Sequence, residues 1–173
     1  MIKIETPVQD SVINQLQIGN SINIFGRIFT GRDAVLPVLK QRIEEGKLNS
    51  VISKLRGAII MHAGFSVAGF GPTTSGKEAI QGSIPALARA GVKIHLGKGS
   101  LNKETIEALH RFNSIFAVTP PVTALLMKKV RSKRIIAFES EGMEAMHEVV
   151  VEGLPAIVAI AHGKSIYNIK SGD

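Results

Sequence analysis

Short apolar runs of strand length alternate with helix-length runs through the middle of this chain, and that alternation narrows the fold more than any single motif. Gly57 to His62, Val92 to Leu96, Ser114 to Val118 and Arg134 to Phe138 read as strands. Between them, Gly76 to Ala90, Asn102 to Phe112 and Pro121 to Val130 read as helices. Such alternation predicts a mostly parallel sheet flanked by helices. Upstream, Ser11 to Leu16 reads as a short helix, and the alternation of Ile22 and Ile24 with Asn23 marks Ser21 to Phe29 as a strand. Thr30-Gly31-Arg32-Asp33 then turns the chain into a helix from about Ala34 to Glu45, with Pro37 in the first turn, where its missing N–H is tolerated. Downstream, Met146 to Val151 and Ala156 to Ala161 flank Glu152-Gly153-Leu154-Pro155, which predicts a hairpin. A further turn is expected at His162-Gly163-Lys164, before Ser165 to Ile169. No repeat or low-complexity linker interrupts residues 1–173, so one α/β domain is expected: a mixed sheet with flanking helices and a C-terminal antiparallel part.

Composition removes several classes of chemistry. The chain has no cysteine, which excludes disulfides, thiolate nucleophiles and cysteine-ligated zinc or iron–sulfur centres held by this chain. Its longest apolar runs, such as Leu154 to Ala161, fall far short of the roughly 20 residues of a membrane helix. Met1-Ile2-Lys3-Ile4-Glu5 does not read as a secretory signal, so a cytoplasmic location is expected. The net charge of +7 favours anionic partners. Lys128, Lys129, Arg131, Lys133 and Arg134 lack interleaved aromatics, however, and read as a solvated helix end rather than a nucleic-acid surface. Neither nucleic acid nor membrane is an expected partner.

Gly71-Pro72-Thr73-Thr74-Ser75-Gly76-Lys77 fits G-x-x-x-x-G-K, the loop that cradles nucleotide phosphates. The following residue should carry a hydroxyl for Mg²⁺, but it is Glu78, whose carboxylate repels phosphate. The loop therefore suits an anion other than ATP. Two more glycine-bearing loops follow strands, Thr30 to Asp33 and Gly97-Lys98-Gly99-Ser100-Leu101-Asn102. In open α/β sheets ligands gather at the carboxyl ends of strands. Together the three loops offer Arg32, Lys77 and Lys98, the hydroxyls of Thr73, Thr74 and Ser75, and helix N-termini with unpaired N–H groups. Three cations suit a small molecule with two carboxylates.

Other polar residues have plainer readings. His62 closes a buried strand and reads as a core residue, while His95, His110, His147 and His162 show no metal-ligand spacing. Asp33 and Glu78 stand at helix starts, where acids favour the dipole, and Glu139 and Glu141 read as a solvated loop. No Ser-His-Asp pairing and no acidic metal cluster is legible, so a strong electrophile would have to come from another chain.

Five motifs in order carry a family resemblance: Gly26-Arg27-Ile28-Phe29-Thr30-Gly31-Arg32-Asp33, His62-Ala63-Gly64, Gly71-Pro72-Thr73-Thr74-Ser75, Gly97-Lys98-Gly99 and Glu141-Gly142-Met143-Glu144-Ala145. With them the chain resembles the β subunit, or equivalently the C-terminal domain, of the class I iron–sulfur hydro-lyases, namely class I fumarate hydratase and L-tartrate dehydratase. The resemblance implies a swivelling β/β/α domain and the reversible addition of water to a small dicarboxylate such as fumarate or tartrate. It implies a [4Fe–4S] cluster acting as Lewis acid, held by three cysteines of an α subunit, hence a hetero-oligomer inactive without that partner. It also implies roles: Arg32, Thr74, Lys77 and Lys98 bind substrate, and Thr73 is the base that removes the carbon-bound proton. This chain departs from the family at Lys77, where arginine is usual, at Leu36, where many members have histidine, and at Pro120-Pro121, where Gly-Gly is common. Those changes point to a different hydroxy-acid or a weakened site. The alternatives are a non-catalytic organic-acid-binding module of the same fold and a P-loop-like nucleotide-binding protein.

Overall fold

The computed structural model describes residues 1–47, 49–66, 69–72 and 77–168; for Pro72, Lys77 and Ala79 the description covers the backbone alone. The chain opens with strand β1 (Ile2–Glu5), helix α1 (Asp10–Gln15), strand β2 (Ser21–Thr30) and helix α2 (Leu36–Glu44). A short 3-10 turn, Ile52–Lys54, leads to β3 (Ile59–Met61), followed by β4 (Ala63–Ser66) and β5 (Gly69–Pro72). Then come α3 (Lys77–Arg89), β6 (Ile94–Gly97), α4 (Lys103–Arg111), β7 (Ile115–Val118) and α5 (Thr123–Met127). The last third holds β8 (Val130–Ala137), a turn segment Glu139–Glu144 kinked at Gly142, β9 (Met146–Ala161) and β10 (Lys164–Ser165).

β2, β3, β6 and β7 run parallel, as the alternation of elements predicts. Antiparallel β9 pairs with β7 on one flank and with the whole of β2 on the other. The hydrogen-bonded path β2–β3–β6–β7–β9 therefore returns to β2 and closes. Strand alternation sorts the core into an inside and an outside. Ile22, Ile24, Ile28, Met61, Ile94, Leu96, Ile115 and Val149 fill the inner cluster. Their outward neighbours Phe29 and Ile60 pack with Leu36 and Leu39 of α2, and Phe116 packs with Ile84 of α3 and Leu109 of α4. β4 and β5 form a separate two-stranded sheet, and Phe65 and Phe70 from it stack at 4.8 Å against the inner cluster.

The C-terminal hairpin expected at Glu152 to Pro155 is absent. Residues 146–161 form one 16-residue strand. In its register against β2, Ile24 pairs Leu154 and Phe25 pairs Glu152, which leaves Gly153 unmatched at φ 71. The glycine that reads as a turn is a β-bulge. Pro155 is tolerated because β8 pairs end at Val151 and β7 pairs begin at Ile157, so its other flank has no strand. The turn at His162-Gly163 is present, with φ of 52 and 76, and joins β9 to β10.

Candidate active-site face at the strand carboxyl ends

The carboxyl ends of β2, β3, β6 and β7 share one face of the sheet. Thr30 at the end of β2 pairs with His147 near the start of β9, so Glu139–Glu144 enters from the same side. Arg32 leaves β2 two residues beyond Thr30. Its carbonyl accepts from Val35 N at 3.0 Å and Leu36 N at 2.8 Å, which starts α2. Its Nε lies 3.3 Å from Glu144 Oε1, with both side chains half-buried.

Gly64 makes this approach possible. A Cβ there would stand 2.8 Å from the Met143 carbonyl oxygen and 3.2 Å from Arg32 Cδ, so any side chain would force two segments apart. Three of the motifs thus meet at one point: the Arg32 turn, Gly64 of β4 and the Met143-Glu144 segment.

Lys98 and Gly99 stand exposed beyond β6. Gly99 takes φ 79, a left-handed conformation natural to glycine. Gln81 of α3, itself buried, accepts the Asn102 N–H through Oε1 at 2.5 Å. Asn102 in turn caps α4, its Oδ1 accepting from Thr105 N at 2.8 Å. The Lys98 loop is therefore tied to the helix that begins at Lys77. Thr73, Thr74 and Ser75 lie outside the described residues, as does the Lys77 side chain. The flanks of that loop are set: Gly69 and Gly71 of β5 lie against Thr123 of α5, and α3 carries Glu78 in its first turn, beside the positive end of the dipole.

The histidines divide by environment. His62 Nε2 and His95 Nδ1 lie 3.2 Å apart, fully buried on β3's end and β6. Burial pushes His62 down to about 4 and His95 well below the usual range, so both are neutral at pH 7. Their outer nitrogens, His62 Nδ1 and His95 Nε2, have no hydrogen-bond partner. His147 donates from Nδ1 to the Ala145 carbonyl at 2.8 Å, and burial lowers it too. Among the described residues no group of three His, Asp or Glu is placed to hold a metal ion.

Several plain readings change. Asp33 makes no cap on α2, whose N-cap is Val35, and its Oδ1 is buried with no hydrogen-bond partner. Leu36 is buried against Gly31, in the helix-side core. Sequence reasoning named neither Glu144 nor Gly64 as a site residue, although both stand inside motifs it singled out.

Comparison with known proteins places the chain in a family. A family model described as "Fumarase C-terminus" matches residues 1–170. A Geobacillus stearothermophilus protein provisionally named class I fumarate hydratase is 27% identical over 176 residues, covering 96% of this chain and 34% of that protein. The anaerobic class I fumarate hydratase of Escherichia coli K12 is 26% identical over 156 residues, covering 86% of this chain and 28% of its own length. The L(+)-tartrate dehydratase subunit beta of Shigella boydii serotype 4 is 26% identical over 169 residues, covering 92% and 76%. The chain thus spans about a third of the fumarate hydratases it matches and about three quarters of the tartrate dehydratase subunit.

Proposed function

Because the chain belongs to the Fumarase C-terminus family, we propose that it is the β subunit of a [4Fe–4S]-dependent hydro-lyase acting on a small di- or hydroxycarboxylate. The observation that carries this reading is the family match over residues 1–170. The convergence of Arg32, Gly64 and Glu144 at the strand carboxyl ends supports it. The chain has no thiolate, and its described residues offer no metal-ligand group, so its own residues do not fit the cluster. A cysteine-bearing α subunit would hold it and supply the Lewis acid for the leaving or entering hydroxyl.

This chain's part is to bind and to move a proton. The Arg32 guanidinium, kept in place by Glu144, receives one substrate carboxylate through paired N–H donors. Lys98, exposed on its own loop, closes on the second carboxylate, with Lys77 and Thr74 completing the cradle. Thr73 takes the carbon-bound proton. A threonine hydroxyl serves as a base only where cations and N–H dipoles stabilise its alkoxide; in sequence Thr73 precedes by four residues Lys77, where α3 begins.

Co-purification from native cells tests the assignment. A partner with cysteine ligands and iron–sulfur absorbance is expected, and Thr73→Ala should remove activity from the complex while leaving assembly intact. A homogeneous chain with no partner, or full turnover by Thr73→Ala, contradicts it. A non-catalytic binding module has one sequence feature in its favour, Lys77 in place of arginine. Under that reading Lys77→Arg produces a large gain in the complex, whereas a substrate-adapted site loses activity.

A further inference from the structure

A second cationic recess lies away from the carboxyl-end face. It is a cleft of about 460 Å³ at the junction where β1 ends and β3 begins along β2, within the size range of small-molecule sites. Arg27, Lys54 and Arg56 line it, over a floor that includes Pro7 and Phe29. Arg27 stands three residues before Thr30, about 10 Å back along β2 from the end where Arg32 turns off.

The charges in this cleft do not balance. Its one carboxylate, Glu148, is buried and already held by Arg134 at 2.9 Å, with Lys54 at 4.0 Å. Arg134 beside Glu148 holds that carboxyl below its usual range, so it stays ionised and committed. Among the described residues neither Arg27 nor Arg56 lies within 4.0 Å of a carboxylate; Arg27 acts on Glu148 and Arg56 on Asp10 only at longer range. Two guanidiniums are left facing a recess with an apolar floor.

The walls are built rather than loose. Thr6 N donates to Phe25 O at 3.1 Å, and Arg27 N donates to Thr6 Oγ1 at 2.7 Å. Val8 N donates to Gly57 O at 2.7 Å, and Gly57 N to Gly91 O at 2.9 Å. At Gly57, φ is 75, and a Cβ would meet Pro7 at 2.9 Å, so a glycine is required for the 6–8 loop to close over it.

We propose that this cleft binds an organic phosphate of about the size of a nucleoside monophosphate, its phosphate gripped by Arg27 and Arg56 and its flat apolar part laid on Pro7 and Phe29. Paired guanidiniums match a phosphate's oxygens bidentately. The apolar floor distinguishes an organic phosphate from the bare ion.

Calorimetric titration of the full chain with AMP, inorganic phosphate and adenosine tests this. AMP binds with a Kd below about 1 mM, inorganic phosphate at least about tenfold more weakly, and adenosine shows no saturable heat. Arg27→Gln with Arg56→Gln raises the AMP Kd at least about tenfold, and Arg56→Gln alone raises it at least about threefold. Both side chains are exposed, so folding is unaffected. Lys77→Gln leaves the affinity within about twofold, which separates this cleft from the glycine loop and from the proposed substrate site. No saturable AMP binding, equal affinity for phosphate and AMP, or loss on Lys77→Gln with retention in the double arginine variant overturns the proposal.

Discussion

Arg32 is engaged at both ends, its carbonyl by the first turn of α2 and its Nε by an ion pair with Glu144 at 3.3 Å. That arrangement presents the guanidinium rather than leaving it to find its place. Lysine offers one movable charge where arginine offers a planar fork. Arg32→Lys in the assembled enzyme should therefore lower kcat/KM about 10- to 100-fold, the worth of one charged hydrogen bond; an unchanged value removes Arg32 from the carboxylate grip. Arg32 and Lys98 were legible in the sequence as glycine-flanked cations after strands. Glu144 was not, because its partner is far away in the chain and only the β2–β9 pairing brings them together.

The buried histidine pair sets a second residue-scale expectation. His62 titrates near 4 when folded against 6.5 as its ordinary value, so the unfolded chain protonates first on acidification. The resulting stability, about 3 kcal/mol for His62, is fully present above pH 6.5 and is lost progressively down to about pH 4. Glu148, held low by Arg134, adds a loss beginning only below about pH 4.5. Urea midpoints should fall steadily between pH 7 and 4.5, and His62→Gln should flatten that slope. A midpoint independent of pH in this window would count against neutral burial of the pair. The sequence marked His62 as a core residue, but its pairing with His95 depends on β3 and β6 being neighbours.

At the scale of elements, glycines decide where segments touch. Gly64→Ala drives a methyl into the Met143 carbonyl and Arg32 Cδ, at a cost of about 1–3 kcal/mol. Both the melting temperature and the substrate KM of the complex should respond, since the clash falls on the Arg32–Glu144 pair; a change in neither would show that the segments do not converge there. Gly82 is the contrasting case, exposed in α3 with no atom within 4 Å of the place a methyl would take. Gly82→Ala should stabilise by up to about 1 kcal/mol, read as a higher melting temperature. The parallel strands and their helices could be read locally because periodicity and caps are local signals. β9 could not: Gly153 and Pro155 carry turn chemistry, and only the long pairing with β2 overrides it into a bulged strand. β1 and the β4–β5 pair were likewise missed, being four-residue strands with glycines or few apolar residues.

For the whole molecule, closure of the sheet through β9 gathers Arg32, Gly64, Lys98 and the Glu144 segment at one end. Among these described groups are two cations, Arg32 and Lys98, which under the proposed function would hold an anionic substrate. The chain has no cysteine, and its described residues show no metal-ligand group. Under the proposed function this face would be half a site, completed by a cluster that the partner would hold. The most direct test is to measure interconversion of fumarate and malate, and dehydration of tartrate, by the purified chain before and after adding a cluster-loaded α subunit. No turnover by the chain alone is expected, with turnover on reconstitution that is lost with Thr73→Ala. Turnover by the chain alone, or a reconstituted complex indifferent to Thr73, contradicts the proposed function.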